Sequence, residues 1–257
     1  SSRKHCAMPD EHSSVGILIP ARYGSSRFPG KPVALLAGKP LIQHVYEAAT
    51  QVPGIADVRV ITDDERIVHA VKDFGGQVMV VTSPCRTGTD RVAKAATHMN
   101  CSVIVNLQAD EIPLHPSLLS DVIDPFLSSD AEIGTLKRQL TVPGEVEDPS
   151  LVKVVTNASE NALYFSRAPI PYVRDIQPDG EEPQTYFGHL GIYAFRYETL
   201  LRFAELPTGV LEDAEKLEQL RALEHGIPIR VWETTHPSLR IDRPEELEAA
   251  SVQFVDI

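Results

Sequence analysis

Apolar residues fall into short blocks along the first 110 positions, and the blocks alternate between two periods. Val15-Gly-Ile-Leu-Ile19 is a continuous apolar run closed by Pro20, the pattern of a strand buried on both faces. Val58-Arg-Val-Ile61, Val78-Met-Val-Val81 and Val103-Ile-Val-Asn-Leu107 read as three further strands. Between them the spacing changes to that of helices. Pro40 to Thr50 carries Pro at a helix start. Asp64 to Phe74 places Ile67, Val68, Val71 and Phe74 on one face, and Gly75-Gly76 stops it. Thr87 to Met99 reads as a third helix.

This β-loop-α-β-α-β-α-β order predicts an α/β fold, a doubly wound and mostly parallel sheet with helices on both faces. Ligands of such sheets sit beyond the carboxyl ends of the strands. The loops at 20–31, 82–90 and 108–113 leave those ends and are expected to meet in one crevice. Beyond about residue 130 the pattern loosens. Strands are expected over Ile133–Leu140, Val152–Thr156, Ala162–Ser166 and Leu190–Phe195, an exposed loop over Pro171–Pro183, and helices over Leu211–His225 and Glu245–Phe254. The expected organisation is a tail over residues 1–13, with Met8 a natural start, then a single domain over 14–257 with a smaller β-containing lobe drawn from about 131–210.

Composition narrows the function classes. A net charge of −12 disfavours nonspecific nucleic-acid and anionic-membrane binding. No apolar run reaches the roughly 18 residues of a membrane span, and the polar N-terminal residues lack the apolar core of a secretory signal. Three separated cysteines, Cys6, Cys85 and Cys101, form neither a disulfide framework nor a metal cluster and fit a reducing cytoplasm.

Three segments carry candidate chemistry. The loop from Pro20 to Lys31 puts Arg22, Arg27 and Lys31 around a Gly-Ser-Ser tract, which lets backbone N–H groups and cations converge on an anion. It matches neither the GxxxxGK[ST] nor the GxGxxG pattern. Asn106-Leu-Gln-Ala-Asp110-Glu111 places two carboxylates after a buried strand, where one can hold Mg²⁺ or simply cap a turn. Asp242, ahead of Pro244-Glu-Glu246, reads locally as a helix N-cap.

In combination these segments resemble the cytidylyltransferases that activate the sugar acid 3-deoxy-manno-octulosonate (Kdo). The matching pieces run from Ile17 to Ala250. They are Ile19 to Pro32, Gly38 to Ile42, Thr87-Gly-Thr-Asp-Arg91, Val105 to Glu111, Leu163-Tyr-Phe-Ser-Arg167, Gly188-His-Leu-Gly-Ile-Tyr193 and Leu217-Glu-Gln-Leu-Arg221. The resemblance implies a Rossmann-like nucleotidyltransferase converting CTP and Kdo to CMP-Kdo and pyrophosphate for lipopolysaccharide or other surface polysaccharide synthesis, with Mg²⁺ as cofactor, in a cytoplasmic homodimer. It implies that Arg22 and Lys31 hold the triphosphate with help from Arg27, and that Pro20, Ala21 and Gln108 line the cytidine site, with Arg86 and Thr87 beside it. It implies Asp110 and Asp242 as metal ligands, and Arg22, Lys31, Asp110 and Asp242 as the catalytic set. Arg167 is expected on the sugar carboxylate, and His189, Tyr193, Glu218 and Gln219 on its hydroxyls. Without the resemblance, His189 and Tyr193 read as a packed strand face and Glu218 and Gln219 as a solvated helix face.

The chain departs from the family pattern in places. It has Gln108-Ala-Asp-Glu-Ile112 where Gln-Gly-Asp-Glu-Pro is usual, Leu239-Arg-Ile-Asp-Arg-Pro244 where Gly-Val-Asp-Thr-Pro is usual, and Asp213-Ala-Glu-Lys216 where His-Ile-Glu is common. Arg243 is thereby expected to place a cation beside Asp242. These departures keep a modified Kdo, such as the 8-amino form, or another sugar acid as alternatives. An inactive nucleotide-sensing relative is the reading from another class.

Overall fold

The computed structural model describes residues 14–24, 28–174 and 185–253. The tail 1–13, Arg27 and the greater part of the loop expected over Pro171–Pro183 lie outside the described residues.

The apolar run of the first block forms β1 (Val15–Pro20), which is buried along almost its whole length. A 3-10 turn over Lys31–Val33 and a small hairpin, β2 (Leu35–Leu36) and β3 (Lys39–Pro40), lead into α1 (Leu41–Thr50). Then come β4 (Ile55–Thr62), α2 (Glu65–Asp73), β5 (Val78–Val80), α3 (Gly88–Ala96) and β6 (Val103–Leu107). β1 pairs in parallel with β4 on one side and β6 on the other, with Ile17 opposite both Val58 and Val105. β5 continues in parallel beyond β4. This is the doubly wound arrangement that the alternating blocks predict. Strand residues alternate between two cores, as the period of two requires. Ile17, Ile19, Val103 and Val105 pack with α1 and α2 in one cluster. Leu18, Ile61 and Ile104 pack with Val92 and Ala96 of α3 in the other.

The rest of the chain comprises β7 (Glu111–Pro113), α4 (Ser117–Leu127), β8 (Ile133–Gln139), β9 (Lys153–Thr156), β10 (Ala162–Ser166), β11 (Phe187–Arg196) and α5 (Tyr197–Glu205). These are followed by α6 (Val210–Glu215), α7 (Leu220–Glu224), β12 (Ile229–Glu233), β13 (Ser238–Arg240) and α8 (Pro244–Gln253). β11 pairs antiparallel with β6 and β8, so the strands around which the lobe was expected hydrogen-bond to the main sheet. β12 pairs in parallel with β8, and β9 joins at Gly188 with β10 outside it. Nine strands form this sheet among the described residues. β7 and β13 form a separate antiparallel ladder.

Five of these elements escape the sequence pattern: α4, α5, β7, β12 and β13. Pro125 lies inside the last turn of α4, where it cannot donate to the carbonyl of Asp121. The helix expected over Leu211–His225 is two helices. Lys216 adopts a left-handed backbone at φ 53, which ends α6, and α7 restarts at Leu220. That break turns Glu218 and Gln219 into the crevice instead of onto a helix surface.

Candidate active site

The crevice lies where the strand order reverses between β1 and β6, the position a doubly wound sheet offers to a ligand. One chamber of it is a cavity of about 320 Å³, lined by residues that include Arg22, Gln108, Asp110, Arg167, His189, Tyr193, Glu218, Gln219 and Arg240. Smaller hollows continue it. One has Pro20, Ala21, Cys85, Arg86, Thr87, Gly88 and Arg91 on its walls, and another has Lys31, Ala109, Asp110 and Asp242. Arg22 and Gln108 line all of these and mark the junction.

The first loop leaves β1 and stays beside β4, with Ala21 N–H donating to Ile61 O at 2.8 Å. Gly30 turns it at φ 74, and a Cβ there would sit 3.0 Å from the Tyr23 ring. That turn starts the 3-10 segment carrying Lys31. Lys31 Nζ donates to Asp110 Oδ2 at 2.8 Å, Asp242 Oδ1 at 3.2 Å and Ile241 O at 3.0 Å. Asp110 and Asp242 meet because β13 pairs with β7, placing Arg240 opposite Glu111 and Ile241 N–H on Asp110 O at 3.4 Å. The N-cap reading of Asp242 changes accordingly. Its carboxylate is engaged by Lys31 and by Arg240 Nη2 at 3.0 Å. Glu246 Oε2 instead reaches back to the N–H groups of Asp242 and Arg243 at 2.6 and 3.1 Å. Lys31 and Arg240 are thus cations beside Asp242, and Arg243 is exposed. Arg22 is exposed at the crevice and makes no ion pair among the described residues, so its full charge is open to an anion.

Thr87 caps α3, its hydroxyl accepting from Asp90 N–H at 3.1 Å. Gly88 follows, and a Cβ there would come 3.7 Å from Pro20 Cγ, so the helix backbone forms a wall of the hollow beside Pro20. Arg86 borders that hollow with its guanidinium committed to structure. It bonds Asp90 at 2.8 Å and the carbonyls of Ala204 and Leu206 at 2.6 and 3.1 Å, tying α3 to the end of α5. Asp90 also meets Arg221, whose fully buried guanidinium bonds Glu212 at 2.8 and 2.5 Å and lies over the Phe203 ring at 4.9 Å.

In the larger chamber Glu218 accepts from Thr89 at 2.9 Å and from Thr87. Burial raises the Glu218 carboxyl above its ordinary range, and the two threonine hydroxyls oppose that shift. His189 Nε2 lies 2.9 Å from Thr135 Oγ1, and its ring packs against Phe165 and Tyr193. Burial, with Arg240 nearby, pushes the His189 imidazole down to about 3, so the ring is neutral near pH 7. Burial and the Glu218 carboxylate raise the Tyr193 phenol well above its usual value. Gln219 is buried beside them. Arg167 Nε donates to Glu215 O at 2.8 Å and Nη1 to Pro149 O at 2.9 Å, and no carboxylate lies within salt-bridge distance of its guanidinium among the described residues. Carbonyl partners orient the group without cancelling its charge.

Every expected site residue except Arg27, which lies outside the described residues, borders this crevice. Reasoning from sequence assigned no role to Arg240 or Arg221, and singled out Thr89 and Glu111 only within the Thr87–Arg91 and Asn106–Glu111 segments. Glu111 is buried, bonded to Ser238 and raised by burial. Only its position beside Asp110 marked it.

A switch-point crevice with the exposed Arg22 and the carboxylate-held Lys31 at one end and a polar chamber at the other is the site of an α/β nucleotide-dependent transferase. The cytidylyltransferase family model matches residues 16–231, and the chain belongs to that family. It is 51% identical over 238 residues to the 3-deoxy-manno-octulosonate cytidylyltransferase of Anaeromyxobacter dehalogenans, covering 92% of this chain and 96% of that one. It is 46% identical to the 8-amino-3,8-dideoxy-manno-octulosonate cytidylyltransferase of Shewanella piezotolerans, covering 94% and 98%. A solved CMP:2-keto-3-deoxy-manno-octonic acid synthetase complexed with CTP superposes with a TM-score of 0.87 at 40% identity, covering 95% of this chain and 99% of that one.

Proposed function

We propose that this cytidylyltransferase transfers the cytidylyl group of CTP to 3-deoxy-manno-octulosonate, releasing pyrophosphate. The observation that carries the reading is the continuity of the crevice. Arg22 and Lys31 border its anion-binding end, and Arg167, His189, Tyr193, Glu218 and Gln219 border its sugar-sized end. In this reading Arg22 and Lys31 take the triphosphate, Pro20, Ala21, Thr87, Gly88 and Gln108 enclose the cytidine, and Arg167 takes the sugar carboxylate. His189, Tyr193, Glu218 and Gln219 hold the hydroxyls. The anomeric hydroxyl oxygen bonds to the α-phosphorus, the bond from that phosphorus to the β-phosphate oxygen breaks, and the hydroxyl proton is released. Positioning two anions against each other, with their charge neutralised, supplies most of the acceleration.

Mg²⁺ fits the residues present. Asp110 and Asp242 both reach Lys31 Nζ, at 2.8 and 3.2 Å, so the two carboxylates lie close together, and Mg²⁺ is usually held by one or two carboxylates with phosphate oxygens and water completing its shell. When bound there it neutralises phosphate oxygens. A homodimer in the cytoplasm, serving lipopolysaccharide synthesis, belongs to the same reading. Among the described residues no helix is long and apolar enough to cross a membrane.

The test is pyrophosphate release over a panel of nucleotides with Kdo, its 8-amino form and a sialic acid. CTP with Kdo should give the highest kcat/KM. Preference for the 8-amino sugar would transfer the assignment to the activity named for the Shewanella relative. CTP binding with no release across metals and pH would make the chain a sensor.

A further inference from the structure

The loop from Asp148 to Leu151 is held by a fully buried lysine. Lys153 Nζ donates to Asp148 O at 2.8 Å and Leu151 O at 2.7 Å, and no carboxylate lies within salt-bridge distance of it among the described residues. An ammonium taken out of water into such a place costs stability unless its bonds are good. Its effect on the loop is to fix both ends. The two carbonyls between those ends are each taken by a guanidinium. Pro149 O accepts from Arg167 Nη1 at 2.9 Å, and Ser150 O accepts from Arg240 Nη1 at 3.2 Å.

Arg167 follows β10 and Arg240 ends β13, and this loop links the two. The bonds are to adjacent peptide units, which keeps the two guanidiniums within roughly 10 Å of each other. Both line the large chamber that holds His189 and Tyr193. Arg240 also bonds Asp242 Oδ2 at 3.0 Å, so it stands between the sugar chamber and the carboxylate pair.

We propose that Arg240 is a second binding residue for the acid group of the substrate, paired with Arg167 by adjacent carbonyls of the Asp148–Leu151 loop, with Lys153 as the positioning residue that fixes the loop. This deepens the sugar-acid reading above and rests on it. Two cations on one rigid loop select a carboxylate over its neutral derivatives, because a guanidinium fork gains more from an anion than from an ester carbonyl.

The experiment compares Kdo with its methyl ester at C1, at saturating CTP and Mg²⁺, in the full-length enzyme and in Arg240→Gln. The ratio of kcat/KM for acid over ester should fall roughly 10-fold or more in Arg240→Gln, the range of a lost hydrogen bond to a charged group. KM for CTP should stay within about two-fold. Lys153→Met should lower the same ratio with KM for CTP unchanged. If that variant does not fold, Arg240→Gln, altered at a partly exposed side chain, decides alone. An unchanged acid-over-ester ratio in Arg240→Gln overturns the proposal. So does a rise in KM for CTP as large as that for the sugar, since Arg240 would then act only through Asp242. Failure of the unaltered enzyme to turn over any sugar acid would instead sink the functional reading itself.

Discussion

Replacing Arg221 by methionine tests whether the buried charge network holds the crevice walls together. The guanidinium is fully buried, bonded to Glu212 at 2.8 and 2.5 Å and to Asp90 at 3.4 Å. Methionine fills much of the volume but leaves Glu212 buried without its cation, while Asp90 keeps Arg86 at 2.8 Å. Removing one partner of a buried ion pair costs about 3–5 kcal/mol. For a chain of this size each kcal/mol lowers Tm by about 2–4 °C, so the fall should be roughly 6–20 °C. Thermal unfolding followed by circular dichroism at pH 8 reads the fall. A Tm within 2 °C of the unaltered protein would refute the reasoning.

Asp110→Ala and Asp242→Ala should each abolish turnover while the far-ultraviolet spectrum is kept. Near-normal turnover of Asp242→Ala at saturating Mg²⁺ would leave Asp242 a structural partner of Lys31 and Arg240. Because burial raises the Glu218 carboxyl, KM for the sugar acid should begin to climb on acidification at a pH above the ordinary carboxylate range. Thr89→Val removes a donor to the charged form and should move that climb to higher pH. A pH profile of KM in both proteins checks this, and an unmoved profile counts against a role for ionised Glu218. His189, pushed down to about 3, should keep neutral-form NMR shifts from pH 8 to pH 5. Its folded pKa lies below the unfolded value of about 6.5, so the unfolded state takes the proton first. This group alone should remove stability at roughly 1.4 kcal/mol per pH unit below about 6.5, and His189→Gln should flatten that slope.

Sequence by itself determined the frame and one rim of the crevice. β1 and β6 state their own burial in their composition, and the helical spacing between the strands points to a parallel sheet, while β5 is an edge strand whose Val80 is exposed. The convergence of the loops after β1, β5 and β6 follows from that order. The later site residues came through resemblance, since His189 and Glu218 carry no local signal that separates them from packing or solvated faces.

Tertiary structure decided the rest, for physical reasons that a linear pattern does not contain. β7 and β13 are three residues each, too short for a period, yet their pairing brings Asp242 to Asp110. Lys216 in a left-handed turn splits an apparently continuous helix and aims Glu218 inward. Arg221 is buried only because Glu212 and Asp90 fold around it. Arg240 gains its place from carbonyls of a distant loop. In each case the decisive partner is far away in sequence, and a charge or a bend acquires its meaning only when that partner arrives.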